Sequence, residues 1–122
     1  MAAHCLLSLI LLIVPFAAAA DILDYHCIVG NVEVSVHVDT VLKTVRQTAQ
    51  FGPTTEVGEY SDGVYGPIFT GVPSVHQFVR ITDDLIDYGG ELRGVEEKAV
   101  LDLRLATITL PAARSGWCSP SQ

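Results

Sequence analysis

Positive charge is scarce in this chain: among 122 residues there are seven Lys and Arg against fourteen Asp and Glu, a formal net charge of -7. A nucleic-acid binder needs cations to neutralise phosphates, so the balance argues against that class, and it argues equally against docking on an anionic membrane face. The macromolecular partner that such acidity favours is a basic protein; the plainer reading is that the charge keeps a small secreted protein soluble. Sustained helical patterning is also missing. No segment keeps an apolar stripe for three helical turns and nothing repeats at a fixed period, which argues against bundles and solenoids. There is no G-x-S-x-G elbow and no phosphate-cradling G-x-x-x-x-G-K run. Beyond the first twenty residues the imidazoles are His26, His37 and His76, on separate segments without the spacing a zinc site wants. No catalytic residue, cofactor or metal is therefore assigned.

Charge is missing locally too. Met1 to Ala20 has no Asp, Glu, Lys or Arg, with His4 its one ionisable ring, runs apolar from Cys5 to Phe16 and ends in four alanines, as a secretory signal cleaved before Asp21 would. The competing reading is an uncleaved membrane anchor. Against it, the apolar run is shorter than the ~20 residues a spanning helix needs, and Pro15 interrupts it. Residues 21–122 are then one β domain, periplasmic or secreted, with no stable membrane insertion after cleavage. They hold Cys27 and Cys118, in a compartment where thiols oxidise. The expected disulfide closes nearly the whole domain and contributes roughly 4 to 5 kcal/mol as an upper figure. The alternative leaves Cys27 as a buried thiol and Cys118 as an exposed one.

What the chain does have is alternation. From Asn31 to Asp39, Val32, Val34, Val36 and Val38 alternate with Glu33, Ser35, His37 and Asp39, which places every Val on one face of a strand. Tyr25 to Val29 precedes it, and Gly30-Asn31 turns the two into a hairpin. Val41 to Gln47 fits either a strand or a helical turn, and its Thr and Val content favours the strand. Residues 75–82 alternate again, with Val75, Gln77, Val79 and Ile81 on one face. Leu85 to Tyr88 continues to Gly89-Gly90, read as a stop, and Ala99 to Leu110 reads as a hairpin. Pro53, Pro67 and Pro73 mark loops or edges. Short strands separated by Gly or Pro predict an all-β fold, a small antiparallel barrel or sandwich closed by one disulfide. Trp117 is expected to cover that disulfide, and Ser119 to Gln122 to fray.

Candidate chemistry is sparse. Asp83-Asp84-Leu85-Ile86-Asp87 spells a diphosphate-binding D-D-x-x-D string, but between two strands it lacks the long helix that chemistry requires. A Ca²⁺ site from Asp83, Asp84, Asp87 or Glu91 is weighed against solvated turn charges, which are favoured. His37 beside Asp39 reads as a surface pair, and the scattered aromatic residues as core. The loop from Ser61 to Pro73, rich in Gly, Pro and Tyr, is the expected recognition surface, with Tyr60, Ser61, Asp62 and Tyr65 as the candidate contacts.

With Tyr25-His26-Cys27 near the mature start, Cys118 near the end and Ser61-Asp62-Gly63-Val64-Tyr65 between, the chain resembles small exported single-disulfide bacterial β proteins. These include the periplasmic inhibitors of c-type lysozyme. In that family's S-G-x-x-Y loop, Ser61 and Tyr65 have counterparts, the Gly is displaced by one position, and the family's Thr-Lys-Gly element has none. The resemblance implies a compact β barrel whose loop enters the cleft of a basic hydrolase such as lysozyme. The expectation is thus a non-enzymatic exported β domain that binds a partner or serves the envelope. The different-class alternative is a small periplasmic hydrolase or metal-dependent enzyme with dispersed site residues.

Overall fold

The computed structural model describes residues 22–121, so the leader expected at 1–20 lies outside the described residues. Ten antiparallel strands form one curled sheet: β1 (Ile22–Val29), β2 (Val32–Asp39), β3 (Thr44–Phe51), β4 (Thr54–Ser61), β5 (Tyr65–Gly66), β6 (Val75–Ile81), β7 (Leu85–Leu92), β8 (Val95–Asp102), β9 (Thr107–Leu110) and β10 (Arg114–Pro120). Their spatial order is β4-β3-β2-β1-β10-β9-β8-β7-β6-β5. First and last strands are thus neighbours, and from that pair the chain spreads as two meanders.

The register explains the core. Cys27 faces both Val34 and Cys118, Val34 faces Ala49, Leu101 faces Ile108, and Ile86 faces Leu101. Because side chains alternate with period two, fixing one pair fixes the face of every strand in turn. The inner face so defined carries Val29, Val34, Val36, Val38, Val45, Tyr60, Val79, Ile86, Tyr88, Leu101, Ile108 and Leu110, all buried. The outer face holds most of the charges. There Arg80 meets Asp87 at 2.8 Å and Glu96 at 3.0 Å, and its guanidinium lies 4.1 Å over the Phe78 ring. Such exposed pairs each contribute little, at most about 1 kcal/mol.

The disulfide joins Cys27 and Cys118, directly opposed on β1 and β10 with Cα atoms 4.0 Å apart. The far ends of the two meanders also meet, through Gln77 on β6, which is 7% exposed. Its Oε1 accepts the Ser61 N–H at 2.8 Å, and its Nε2 donates to the Gly66 carbonyl at 3.2 Å. Beside it the Val79 N–H donates to Asp62 Oδ1 at 2.9 Å, and the Glu59 N–H donates to the Ile68 carbonyl at 3.2 Å.

Four expectations need correction. Val41 to Lys43 form a turn whose Val41 and Leu42 amides donate to Asp39 Oδ1, so the strand begins only at Thr44. Gly89-Gly90 do not stop β7, which runs on to Leu92. They are glycine for close approach: a Cβ on Gly89 would lie 2.0 Å from the Glu97 carbonyl oxygen, and one on Gly90 2.5 Å from Val75 Cγ2. Trp117 does not cover the disulfide. As the strand neighbour of Cys118 it points to the opposite face and is 74% exposed. Nor does the chain fray at Ser119, since Pro120 pairs with Tyr25 and the Ser121 N–H donates to the Asp24 carbonyl at 2.8 Å.

Candidate functional site

Large inner residues fill the curl at mid-sheet, but toward the end that carries the β3–β4, β7–β8 and β9–β10 connections they become small. Ala49, Gly90 and Ala99 leave a cavity there of about 300 Å³, walled by Val32, Ile68, Val75 and Leu110 and opening past Phe51, Leu92 and Val95. Those last three side chains are exposed, so the opening is itself apolar.

Tyr60 and Tyr88 both line this cavity. Their rings stand edge to face with centroids 5.0 Å apart, a geometry that adds about 1 kcal/mol beyond simple burial. The Tyr88 hydroxyl donates to Gln47 Oε1 at 2.5 Å. The Tyr60 hydroxyl, on a side chain 8% exposed, has no hydrogen-bond partner among the described residues. Every fully buried side-chain nitrogen or oxygen described is partnered, so this hydroxyl keeps access to the cavity. Burial, and secondarily the Glu56 carboxylate, push the Tyr60 phenol up to about 12. Burial raises Tyr88 as well, with Tyr60 adding to it. At neutral pH both are therefore un-ionised, suited to giving a hydrogen bond and unsuited to acting as bases.

Charge gathers only at the opening. Strand alternation puts Glu56 on the face of Tyr60, Glu97 on the face of Ala99, and Arg114 on the face of Gly116, and all three line the cavity at exposed positions; Lys98 lines it too, but alternation sends its side chain to the outer face, where Nζ lies 3.6 Å from Asp87 Oδ2. The side chains of Glu56, Glu97 and Arg114 make no hydrogen bond or ion pair among the described residues.

The candidate loop contacts are dispersed. Tyr60 points inward, as described, and Ser61 supplies its amide to Gln77. Asp62 binds the Val79 amide, with its Oδ2 3.4 Å from Lys43 Nζ. Its carboxyl is held below the usual range first by that amide and then by Lys43. Tyr65 alone presents its ring outward, 61% exposed and 4.7 Å from the His76 ring. His37 does not pair with Asp39, which caps its own turn; its Nδ1 lies 2.5 Å from Asp24 Oδ1 on the neighbouring strand. That pair sits on the outer face at a hollow of about 270 Å³ that also takes in Ser35, Arg46 and Thr48. Asp87 is engaged by Arg80 and Lys98, and among the described residues no three His, Cys, Asp or Glu are grouped to hold a metal ion.

Sequence reasoning missed the cavity. Its one local signal was parity, which puts Glu56 and Glu97 on the core-facing side of their strands. No family model matches this chain, and no curated protein or solved structure matches it at a significant level. Among the described residues, no helix is long and apolar enough to cross a membrane.

Proposed function

We propose that the chain is an exported, non-enzymatic binding protein whose site is the apolar cavity at one end of the curled sheet. The carrying observation is that hollow of about 300 Å³, walled by aliphatic and aromatic side chains and entered past exposed Phe51, Leu92 and Val95. Ligand sites are concave, mostly apolar and sparingly polar, and this one offers the Tyr60 hydroxyl inside with charges only at the rim. In this reading the sheet works as a small barrel rather than as a sandwich, with Gln77 at the seam. A disulfide between paired strands supports a periplasmic or secreted location, because cytosolic thiols stay reduced.

A neutral solvatochromic dye tests the proposal. Saturable one-to-one uptake with a blue shift is the expected result, lost in Ala49→Phe, which fills the cavity, while far-ultraviolet circular dichroism shows the sheet retained. A wild-type protein that takes up no dye overturns it.

Exposed Tyr65, close to Ser61 on an acidic domain, favours a second reading in which the 61–73 loop enters the cleft of a basic hydrolase such as lysozyme. It calls for salt-sensitive capture that Tyr65→Ala weakens, and unchanged lysis would remove it. The His37–Asp24 pair beside Ser35 is the feature favouring a small hydrolase instead. Ester turnover abolished by His37→Ala would establish that alternative.

A further inference from the structure

We propose that the ligand of this cavity is an organic cation with an apolar body, such as an alkylammonium. The inference rests on the cavity being a binding site and specifies what it selects. Four aromatic rings, Phe51, Tyr60, Phe69 and Tyr88, line one hollow together. Ring faces carry negative quadrupolar potential, and several rings around one space form the arrangement that recognises alkylated ammonium groups. The charges at the opening agree. Glu56 and Glu97 line the cavity from opposite arms of the sheet, one on β4 and one on β8, and neither has a cationic partner among the described residues. Two cations also line the cavity, but Lys98 turns its ammonium to Asp87 at 3.6 Å on the outer face, which leaves Arg114 as the one positive charge opposing the two carboxylates, on a domain already of net charge -7.

The Tyr60 hydroxyl is the independent polar observation. It belongs to a residue only 8% exposed that lines the cavity, and it has no partner among the described residues. A neutral phenol accepts a hydrogen bond from an ammonium N–H, or lends its oxygen lone pairs to an alkylated one, without the cost of a buried carboxylate. An anionic ligand would meet two unpaired carboxylates and a lining of four aromatic rings that offers it no cation. A neutral ligand would gain the walls and nothing from the rim.

Three probes of matched chain length separate these cases by isothermal titration of the oxidised protein: decyltrimethylammonium, decanol and decanoate, each below its aggregation threshold. The expected order is the cation tightest, decanol weaker and decanoate weakest, with about tenfold between the two ions. Glu56→Gln and Glu97→Gln, both at exposed positions and so compatible with folding, should each weaken the cation several-fold and leave decanol unchanged. Arg114→Gln should strengthen the cation. Decanoate binding as tightly as the cation, or carboxylate variants that leave all three probes alike, overturns this inference while decanol binding leaves the cavity reading standing. If none of the three binds, the cavity reading itself has failed.

Discussion

Replacing Gln77 with Leu asks whether one side chain joins the two ends of the sheet. Leucine fits the volume and suits a site that is 7% exposed, so packing is nearly conserved. What disappears is the acceptor for the Ser61 N–H at 2.8 Å and the donor to the Gly66 carbonyl at 3.2 Å. The bonds of residue 77's own backbone survive, from its N–H to the Val64 carbonyl and from the Gly63 N–H to its carbonyl. A part-buried amide left without an acceptor costs about 1–3 kcal/mol, and the carbonyl adds less because it has a second lone pair. The added apolar burial offsets about 1 kcal/mol, which leaves a net loss of about 2 kcal/mol. For a domain of roughly 100 residues that lowers Tm by about 8–15 °C. Thermal unfolding followed by circular dichroism reads the magnitude. Amide hydrogen exchange reads the place, because Ser61 should lose protection beyond the global change while Val36 on β2 should not. A Tm within about 2 °C of wild type, with Ser61 still protected, would refute the idea that Gln77 holds the seam.

Gly89→Ala should cost more than about 3 kcal/mol or prevent folding, since its Cβ would meet backbone that a side-chain rotation cannot clear. Gly30→Ala, at φ +61° with open space around it, should cost only about 1–2 kcal/mol, and urea melts giving equal losses for the two would contradict this account. Reducing Cys27–Cys118, which spans 91 positions, should lower stability by about 4.6 kcal/mol at most on loop entropy, read as a fall in the urea midpoint. A midpoint unmoved by reductant would show that the sheet register alone sets the unfolding equilibrium. Asp62 supplies a pH dependence. Its carboxyl is lowered in the folded state, so its stabilisation is present above the unfolded value and lost as pH falls through the carboxylate range, below about pH 4. Asp62→Asn retains an acceptor for Val79 and should flatten that acid limb, whereas an acid limb of unchanged slope would assign the loss to other carboxylates.

The fold was legible wherever alternation was unbroken. Val32 to Val38 and Val75 to Ile81 stated their faces outright, and the structure buries Val34, Val36, Val38, Gln77 and Val79 on the inner side. Two of the misreadings share one cause, that a residue's local meaning depends on a distant partner. Glycine serves turns and close approaches alike, and what makes Gly89 and Gly90 the second kind is the Glu97 carbonyl and the Val75 side chain, which no neighbour in sequence reveals. The stretch from Ser119 was read as fraying because the strand it pairs with, β1, lies 91 residues away at the disulfide. Trp117 is the instructive exception. Period two already forbids adjacent strand residues from sharing a face, so its separation from Cys118 was available without coordinates.

The same parity rule reaches further into the site than the aromatic census did. Counted one residue at a time, Phe51, Tyr60, Phe69 and Tyr88 are scattered rings, and only the curl of the sheet brings them around one space. Glu56 and Glu97 differ, because alternation alone sets Glu56 in phase with Tyr60, and Glu97 in phase with buried Ala99 and Leu101. An unpaired carboxylate at an inward position is costly unless water reaches it, so two of them near strand ends mean that the core is open there. Inward charge at the end of an otherwise apolar strand face is thus a sequence-level sign of a mouth. It is also a sign that distinguishes a hollow end of a curled sheet from a filled one, where Val38, Ile86 and Leu101 leave no room for charge.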